Sequence, residues 1–460
     1  FLFEATSHSM RNQGRAPKCL GIDFGAKAIK VATLLAAASH GAAITISKAN
    51  SIDGREYVRN TPAEWEPFVG RDGCCSTKRA ESWGAWNRLR CSVLLTNPPF
   101  AGDIDEIDVL DAYETHQESL SRKAVGREHL FLERAVHLLK PGGRLGIVLP
   151  QGLLANASSS YIRTWLLRKC RVLGVVGLHQ FAFLPFTSVK TALLFLEKPR
   201  SGDLLPRDYN MFFAVSKNPG KDSSGRTLGS TDYEAIAAAF SLFLRREGLS
   251  WANTYDKSKH EVNAEIARLV DVLQSDRLDA EYYDPRARSL LRELADNTSS
   301  RIGNVVGQKI ERFKKPLFRE IAYYDISAID LKTGLGSPAP VPASSAPSRA
   351  SYLLEPGDVL VSTVRPDRNL VGIVTEKSPI AAVGSNGFCV LRPEKVEPEV
   401  LFAYCKTEAF KNMLARNATA SMYPTVTDKD VLHVPFRSPP DELRKQLVAL
   451  VRHGLEGVPV

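Results

Sequence analysis

Cys91-Ser92-Val93-Leu94-Leu95-Thr96-Asn97-Pro98-Pro99-Phe100 is a short apolar run cut off by a turn. The pattern predicts a strand over 91–95 that ends sharply at Asn97-Pro98-Pro99. Two consecutive prolines fix two φ angles and supply no backbone donor, so the Pro98 carbonyl is held as an acceptor in a rigid turn. The Asn97 side-chain oxygen stands beside it. Two acceptors in fixed geometry suit an exocyclic amine with two hydrogens. The lone pair of an aromatic amine is delocalised into its ring; hydrogen bonds to both hydrogens favour a pyramidal nitrogen and localise that pair. Phe100 can stack on the ring of such a base, worth ~1–3 kcal/mol. The competing reading is a plain strand-end turn, where Asn and Pro are common.

Outward from this turn, residues 1–200 alternate strand and helix signals. Strands are expected over 19–24, 43–46, 91–95, 145–149 and 190–196. Helices are expected over 26–38 and 129–139, the second stopped by Lys140-Pro141-Gly142-Gly143. Such alternation predicts an α/β domain with a mostly parallel sheet covered on both faces, and ligands at the carboxyl ends of its strands. Residues 60–90, with Cys74, Cys75, Trp83 and Trp86, show no regular period. Residues 200–300 lean helical, over 232–246, 262–273 and 285–295. Beyond 301 short apolar runs are separated by Gly, Pro and Ser, with strands expected at 359–361, 371–374 and 388–391. A loop is expected at 337–348, and helices at 399–414 and 441–453.

At 460 residues the chain has room for roughly three domains of ~150 residues. A hydrophobic fraction of 44% and a charged fraction of 24% exclude wholesale disorder. No apolar run approaches the ~20 residues of a membrane-spanning helix. The seven cysteines are scattered without a Cys-x-x-Cys pair, which argues against a disulfide framework or a zinc site and for a metal-free, cytoplasmic chain. A net charge of +9 leans mildly toward polyanions. The opening Phe1-Leu2-Phe3-Glu4-Ala5, without an initiator Met, reads as the start of an N-terminally truncated fragment.

Asn97-Pro98-Pro99-Phe100 resembles the amino-methyltransferase signature of DNA adenine methyltransferases, and its flanks agree. Residues 131–135 and 138–150 look like the helix–strand unit of the modification subunit of type I restriction–modification systems. Phe181-Ala182-Phe183-Leu184-Pro185-Phe186 looks like that family's second base-contacting loop. The resemblance implies S-adenosyl-L-methionine as cofactor, and a ring flanking the flipped adenine opposite Phe100. Phe183 is the candidate, with Phe181 and Phe186 as rivals. Each of the three could equally be core packing. The resemblance also implies that the Gly-rich cofactor loop and its strand lie upstream of residue 1. Asp23, with Phe24 beside it, and Asn50 are the cofactor candidates left. Gly25 and Ala26 stand where the family often has an acid and a proline, and Asn50 could be an ordinary turn residue. Asp23-Phe24-Gly25 also spells a kinase metal motif, but no His-Arg-Asp loop precedes it. Residues 21–25 resemble the first phosphate loop of actin-like sugar kinases too, yet an Ala-rich helix follows in place of a hairpin.

Residues 277–285, 357–366 and 431–451 resemble type I specificity subunits, loosely but across most of 277–460. Within 301–320, Arg301, Lys309, Arg312, Lys314, Lys315 and Arg319 stand against only Glu311 and Glu320, a composition suited to phosphates. A solvated charged face has the same composition. Arg365, Arg368 and Asn369 are of the types that read guanine and adenine edges, with Ser421 and Tyr423 as weaker candidates. Arg365 could instead pair with Asp358 or Asp367 and only hold its loop.

The resulting expectation has a Rossmann-like methyltransferase sheet, incomplete at its N-terminus, over 1–220. A helical connector spans 221–300, and a mixed α/β target-recognition domain spans 301–440. A C-terminal helix begins at 441. The implied activity is site-specific DNA adenine methylation with base flipping, in a restriction–modification or phage-defence system. Double-stranded DNA and a restriction or other defence subunit are the implied partners. The alternative is a DNA-binding specificity module without turnover.

Overall fold

β1 (Cys19–Asp23) pairs in parallel with β2 (Ile44–Lys48), from Cys19 opposite Ile44 to Asp23 opposite Lys48. The Ala/Leu-rich helix Ala26–Ala38 makes the crossover that a parallel pair requires. β3 (Cys91–Thr96) follows, and then β4 (Asp103–Ile104) and β5 (Val125–Gly126), which pair with each other. β6 (Leu139–Pro150), β7 (Arg171–Gly177), β8 (Thr191–Glu197), β9 (Asn210–Val215) and β10 (Ala264–Arg268) complete the first unit. The computed structural model describes residues 2–38, 44–57, 61–70, 77–118, 122–249, 262–297, 300–307, 309–375, 378–419 and 424–455. It divides into two compact units, Phe1–Glu281 and Tyr282–Val460.

Among the described residues the main sheet is six-stranded, in the order β10-β9-β7-β8-β6-β3. Only β3–β6 and β7–β9 pair in parallel. β8 lies antiparallel to both β6 and β7, and β10 antiparallel to β9. The sheet is therefore α/β but mixed, where a mostly parallel one was expected. The reason is that β8 returns directly beside β7, without a helical crossover, and so must run against it. The segment 262–273, expected to be helical, opens with β10. The edge of β9 offers it a hydrogen-bonded partner, which overrides a helix-compatible composition, and the helix is confined to Leu269–Ser275. Residues 221–281 thus fall within the first unit and extend its sheet.

Lys140-Pro141-Gly142-Gly143 lies inside β6 as a bulge, because the register with β3 jumps from Cys91–Leu139 to Val93–Arg144. Gly142 has a φ of 75°, and a Cβ on Gly143 would stand 2.8 Å from the Lys140 carbonyl. Glycine meets both demands. β3 ends the sheet, and Val93 and Leu95 remain 59% and 43% exposed.

The stretch 60–90 carries a core of its own. Trp65, Trp83 and Trp86 are buried together with Tyr57, Leu110, Tyr113 and Leu130, and Leu20 and Ile22 of β1 pack against them. The Arg134 guanidinium lies 3.3 Å from the Trp86 ring centroid and donates to the Trp86 carbonyl. Glu133, fully buried, accepts from the Glu114 and Thr115 amides at 2.6 and 3.0 Å and from the Thr115 hydroxyl at 2.6 Å.

In the second unit, β11 (Glu320–Tyr324), β12 (Ala339–Pro342), β13 (Ala350–Leu353) and β16 (Ala381–Ser385) form a sheet in the order β12-β11-β16-β13. β14 (Val359–Ser362), β15 (Val371–Ile373) and β17 (Phe388–Leu391) form another, β15-β14-β17. β12 falls within the expected loop 337–348. Pro340 and Pro342 cannot donate, so this strand is tolerated only at a sheet edge. Helices Pro398–Lys406 and Glu408–Ala415 cover a core built on Val359, Val361, Leu391, Phe410 and Phe436. Thr407 caps the second of them by accepting from Phe410 N, which breaks the single helix expected over 399–414. Among the described residues no helix is long and apolar enough to cross a membrane.

Candidate active site

Asn97, Pro98, Pro99 and Phe100 follow the carboxyl end of β3, as a strand stopped by two prolines must. Pro98 is buried, Phe100 is half-buried, and Asn97 and Pro99 are exposed. Among the described residues neither Asn97 Oδ1 nor the Pro98 carbonyl accepts a hydrogen bond. Both acceptors of the turn are unspent.

The loop 178–190 joins β7 to β8 and brings Phe183 to Phe100, with ring centroids 5.4 Å apart and planes at 78°. Phe181 turns instead onto His179, at 4.6 Å and 71°. Phe186 is 90% exposed. Of the three candidate rings, the structure brings only Phe183 to the Asn-Pro-Pro-Phe turn. Burial, with Lys190 and Lys217 nearby, lowers the His179 pKa. Its ring is then neutral at pH 7, and Nδ1 accepts from the Phe181 amide at 3.2 Å.

Asp23 ends β1 in an exposed position, where Oδ1 accepts from Gly25 N at 2.6 Å and Oδ2 is uncommitted among the described residues. Phe24 is 69% exposed. Asn50 lies two residues beyond β2. Its Oδ1 accepts from Ile52 N at 3.1 Å in an Asx turn, and its own amide N–H donates to the Tyr57 hydroxyl at 3.0 Å. Among the described residues the Asn50 oxygen therefore keeps one lone pair, and its side-chain amide has no partner.

In the second unit Lys309 and Lys314 are exposed and without partners among the described residues. The Arg312 guanidinium lies 4.4 Å from the Tyr352 ring centroid. Lys315 donates to the Ala346 carbonyl at 2.6 Å, so its ammonium is engaged by its own fold. Arg365 and Asn369 both take left-handed backbone, each with a φ of 51°, around the turn Pro366–Arg368. Arg368 is exposed, while Asn369 Nδ2 donates to the Lys406 carbonyl at 2.9 Å. Asp358 is taken by Arg392, through bonds of 2.9 and 2.8 Å, and so does not pair with Arg365. Ser421 and Tyr423 lie outside the described residues.

Two contacts escaped the sequence. Glu281 reaches the carboxyl end of the main sheet, where Oε2 accepts from Gln151 Nε2 at 3.1 Å and Oε1 stands 3.0 Å from Lys190 Nζ. A Cβ on Gly177 would meet Oε1 at 2.6 Å, so glycine there makes room for the carboxylate. Lys221 donates to the carbonyls of Ala182 and Leu184. Lys221 belongs to no recognisable motif, and Glu281 lies in the stretch 277–285, whose resemblance to specificity subunits gives no hint of a contact with the main sheet.

The family model described as N-6 DNA Methylase matches residues 76–276. The methylase subunit of the type I restriction enzyme EcoEI from Escherichia coli is 31% identical over 117 residues, which cover 25% of this chain and 22% of that subunit. The chain thus matches under a quarter of the length of this curated relative. Among solved structures, an HsdS subunit from Thermoanaerobacter tengcongensis is 34% identical, with a TM-score of 0.31, over 34% of this chain and 41% of that one. The M protein of the type I restriction enzyme EcoKI is 15% identical, with a TM-score of 0.35, over 57% and 53%. The stretch matched by the family model contains the β3 turn, the Phe183 loop and Glu281's partners Gln151 and Lys190, so over residues 76–276 the chain is similar to N-6 DNA methylases.

Proposed function

We propose that the chain is a site-specific DNA adenine methyltransferase of a restriction–modification or phage-defence system, acting on the exocyclic amine of an adenine turned out of the duplex. The observation that supports this most is the pair of unspent acceptors at Asn97 and Pro98, beside the Phe100–Phe183 rings. An amine inside a base pair cannot reach such a turn, so the base leaves the stack first, at a cost of a few kcal/mol. Asn97 Oδ1 and the Pro98 carbonyl then accept its two hydrogens and localise the nitrogen lone pair. Phe100 and Phe183 hold the base by its faces. No general base of special pKa is needed, because an alkylated amine is acidic enough to lose its proton to water.

S-adenosyl-L-methionine is the cofactor that this reaction takes, and when bound it supplies an electrophilic methyl group. The residues present fit it: among the described residues Asp23 has an uncommitted carboxylate oxygen for ribose hydroxyls, Phe24 an exposed ring, and Asn50 a side-chain amide without a partner. In the second unit Lys309 and Lys314 suit phosphates, and Arg368 a base edge. Double-stranded DNA is the substrate and a restriction or other defence subunit the protein partner, with both met in the cytoplasm.

The test uses the full-length protein, labelled S-adenosyl-methionine and genomic DNA lacking adenine methylation. Wild-type protein should yield N6-methyladenine on nucleoside analysis. Asn97→Ala should yield none, while its gel shift on DNA stays near wild type because phosphate contacts dominate affinity. A wild-type protein that shifts DNA but transfers no methyl would be the specificity module without turnover.

A further inference from the structure

Within the loop 178–190 most backbone groups near Phe183 are spent locally. The His179 carbonyl accepts from Ala182 N, the Phe181 carbonyl from Leu184 N, and the Phe183 carbonyl from Phe186 N and Thr187 N. The carbonyls of Ala182 and Leu184, on either side of Phe183, point elsewhere. Both are taken by one group, the Lys221 ammonium, at 3.1 and 2.9 Å. An ammonium has three donors and no acceptor, so it can bridge two carbonyls as no neutral side chain of that length can. Hydrogen bonds to a charged donor are also worth more than neutral ones.

Lys221 is itself held on a tight hairpin. It bridges to Thr227, and Leu228 N donates to the Gly220 carbonyl at 2.7 Å. Asp222 Oδ1 accepts from Ser224 N, Ser224 Oγ and Arg226 N, which closes the tip. Gly225, with a φ of 84°, lies against the Leu184–Pro185 backbone, where a Cβ would stand 2.9 Å from Leu184 C and Pro185 N. The hairpin base is tied by Asp232, which accepts from Ser216 Oγ, Lys217 N and Asn218 N. The Phe183 loop is thus clasped from outside by a second loop whose own geometry is closed.

We propose that Lys221 is the positioning residue for the target-base platform: by clasping the carbonyls of Ala182 and Leu184 it fixes the backbone on both sides of Phe183, so that the ring is kept beside Phe100 and only its side chain need swing to admit the base. Lys221 does not touch the base. This rests on the adenine-methyltransferase reading for its chemical consequence, though not for the clasp itself.

The test compares full-length wild type, Lys221→Met and Lys221→Arg. Methyl transfer to unmethylated genomic DNA gives kcat and KM, and hydrogen exchange gives the protection of the amides in 181–187. Lys221→Met keeps the aliphatic stem and removes the charge. It should lower kcat at least tenfold with KM for DNA within about twofold, and speed exchange over 181–187 alone. Lys221→Arg, which still donates to two carbonyls, should recover most of both. Unchanged kcat, or unchanged exchange in 181–187, in Lys221→Met would overturn the proposal. So would faster exchange across the whole first unit, which would make the lysine a general structural residue, or a folded Lys221→Arg as inactive as Lys221→Met. If wild-type protein transfers no methyl to adenine while Lys221→Met still loosens 181–187 alone, the clasp stands and the adenine reading fails.

Discussion

Phe100 meets Phe183 edge to face, with 5.4 Å between ring centroids and 78° between planes. A base sandwiched between two parallel rings needs them about 7 Å apart, twice a carbon contact of about 3.5 Å. The tilted pair therefore fills the slot that the base would take. Entry exchanges a ring–ring contact worth ~0.5–1.5 kcal/mol for base stacking worth ~1–3 kcal/mol per ring. The exchange favours the base once one ring swings aside.

Phe183→Ala should accordingly lower kcat/KM for methyl transfer by about tenfold to a hundredfold, the kinetic equivalent of one lost stack. Phe186→Ala, which removes a ring 90% exposed, should leave it within about twofold. Steady-state kinetics on both variants decides which ring serves. A Phe186 effect larger than that of Phe183 would reassign the platform.

Gly177→Ala places a methyl group 2.6 Å from Glu281 Oε1 and must displace the carboxylate from Gln151 and Lys190. Because the clashing atoms are the end of a side chain, the cost is that of the displaced contacts, about 0.5–1.5 kcal/mol for each hydrogen bond lost. Glu281→Gln keeps the shape and loses only the charge opposite Lys190. Thermal melting should rank wild type above Glu281→Gln, and Glu281→Gln above Gly177→Ala. The reverse order for the two variants would show that the ion pair matters more than the space.

Lys314 and Lys315 are neighbours with different expected effects on DNA. Lys314→Ala should weaken binding to every sequence alike and reduce the salt-dependence slope by about one unit. Lys315→Ala should change that slope less and lower stability more, because its ammonium already serves the Ala346 carbonyl. Arg368→Ala should cost ~1–3 kcal/mol on the cognate site alone. Anisotropy titrations across salt and a randomised target library, beside melting curves, separate these outcomes.

Asp358 is 1% exposed and binds Arg392 through both oxygens, while it also accepts from Glu355 N at 2.8 Å. Asp358→Ala should destabilise the second unit by about 3 kcal/mol, since it leaves a partly buried guanidinium and an amide without their acceptor. Denaturant unfolding measures it. A loss below about 1 kcal/mol would mean that water replaces the carboxylate.

What the sequence made legible is local. Asn97 to Phe100 can be read because a strand end, two prolines and an aromatic are adjacent, and Asp23 can be read because it closes an apolar run. The partners that organise the site are remote: Lys221 reaches the Ala182 carbonyl across 39 residues, and Gln151 reaches Glu281 across 130. No period or spacing encodes such pairs. β10 was hidden for a related reason, since Ala264-Glu265-Ile266-Ala267 becomes a strand only beside the free edge of β9. The core around Trp65, Trp83 and Trp86 is built from large rings in short turns, which leave no repeat for a period to detect.

The outer side of β3 has a consequence for handling the protein. Its amides and carbonyls have no strand partner among the described residues, and Val93 and Leu95 face water beside them. An apolar, unpaired strand is a template on which a second copy can add by main-chain hydrogen bonds, and then a third. Where that edge is left unpaired, concentrated stocks should age into ordered aggregates that start at Val93-Leu94-Leu95. One lysine at position 93 would act as a gatekeeper against that stacking, without entering the turn that begins at Asn97.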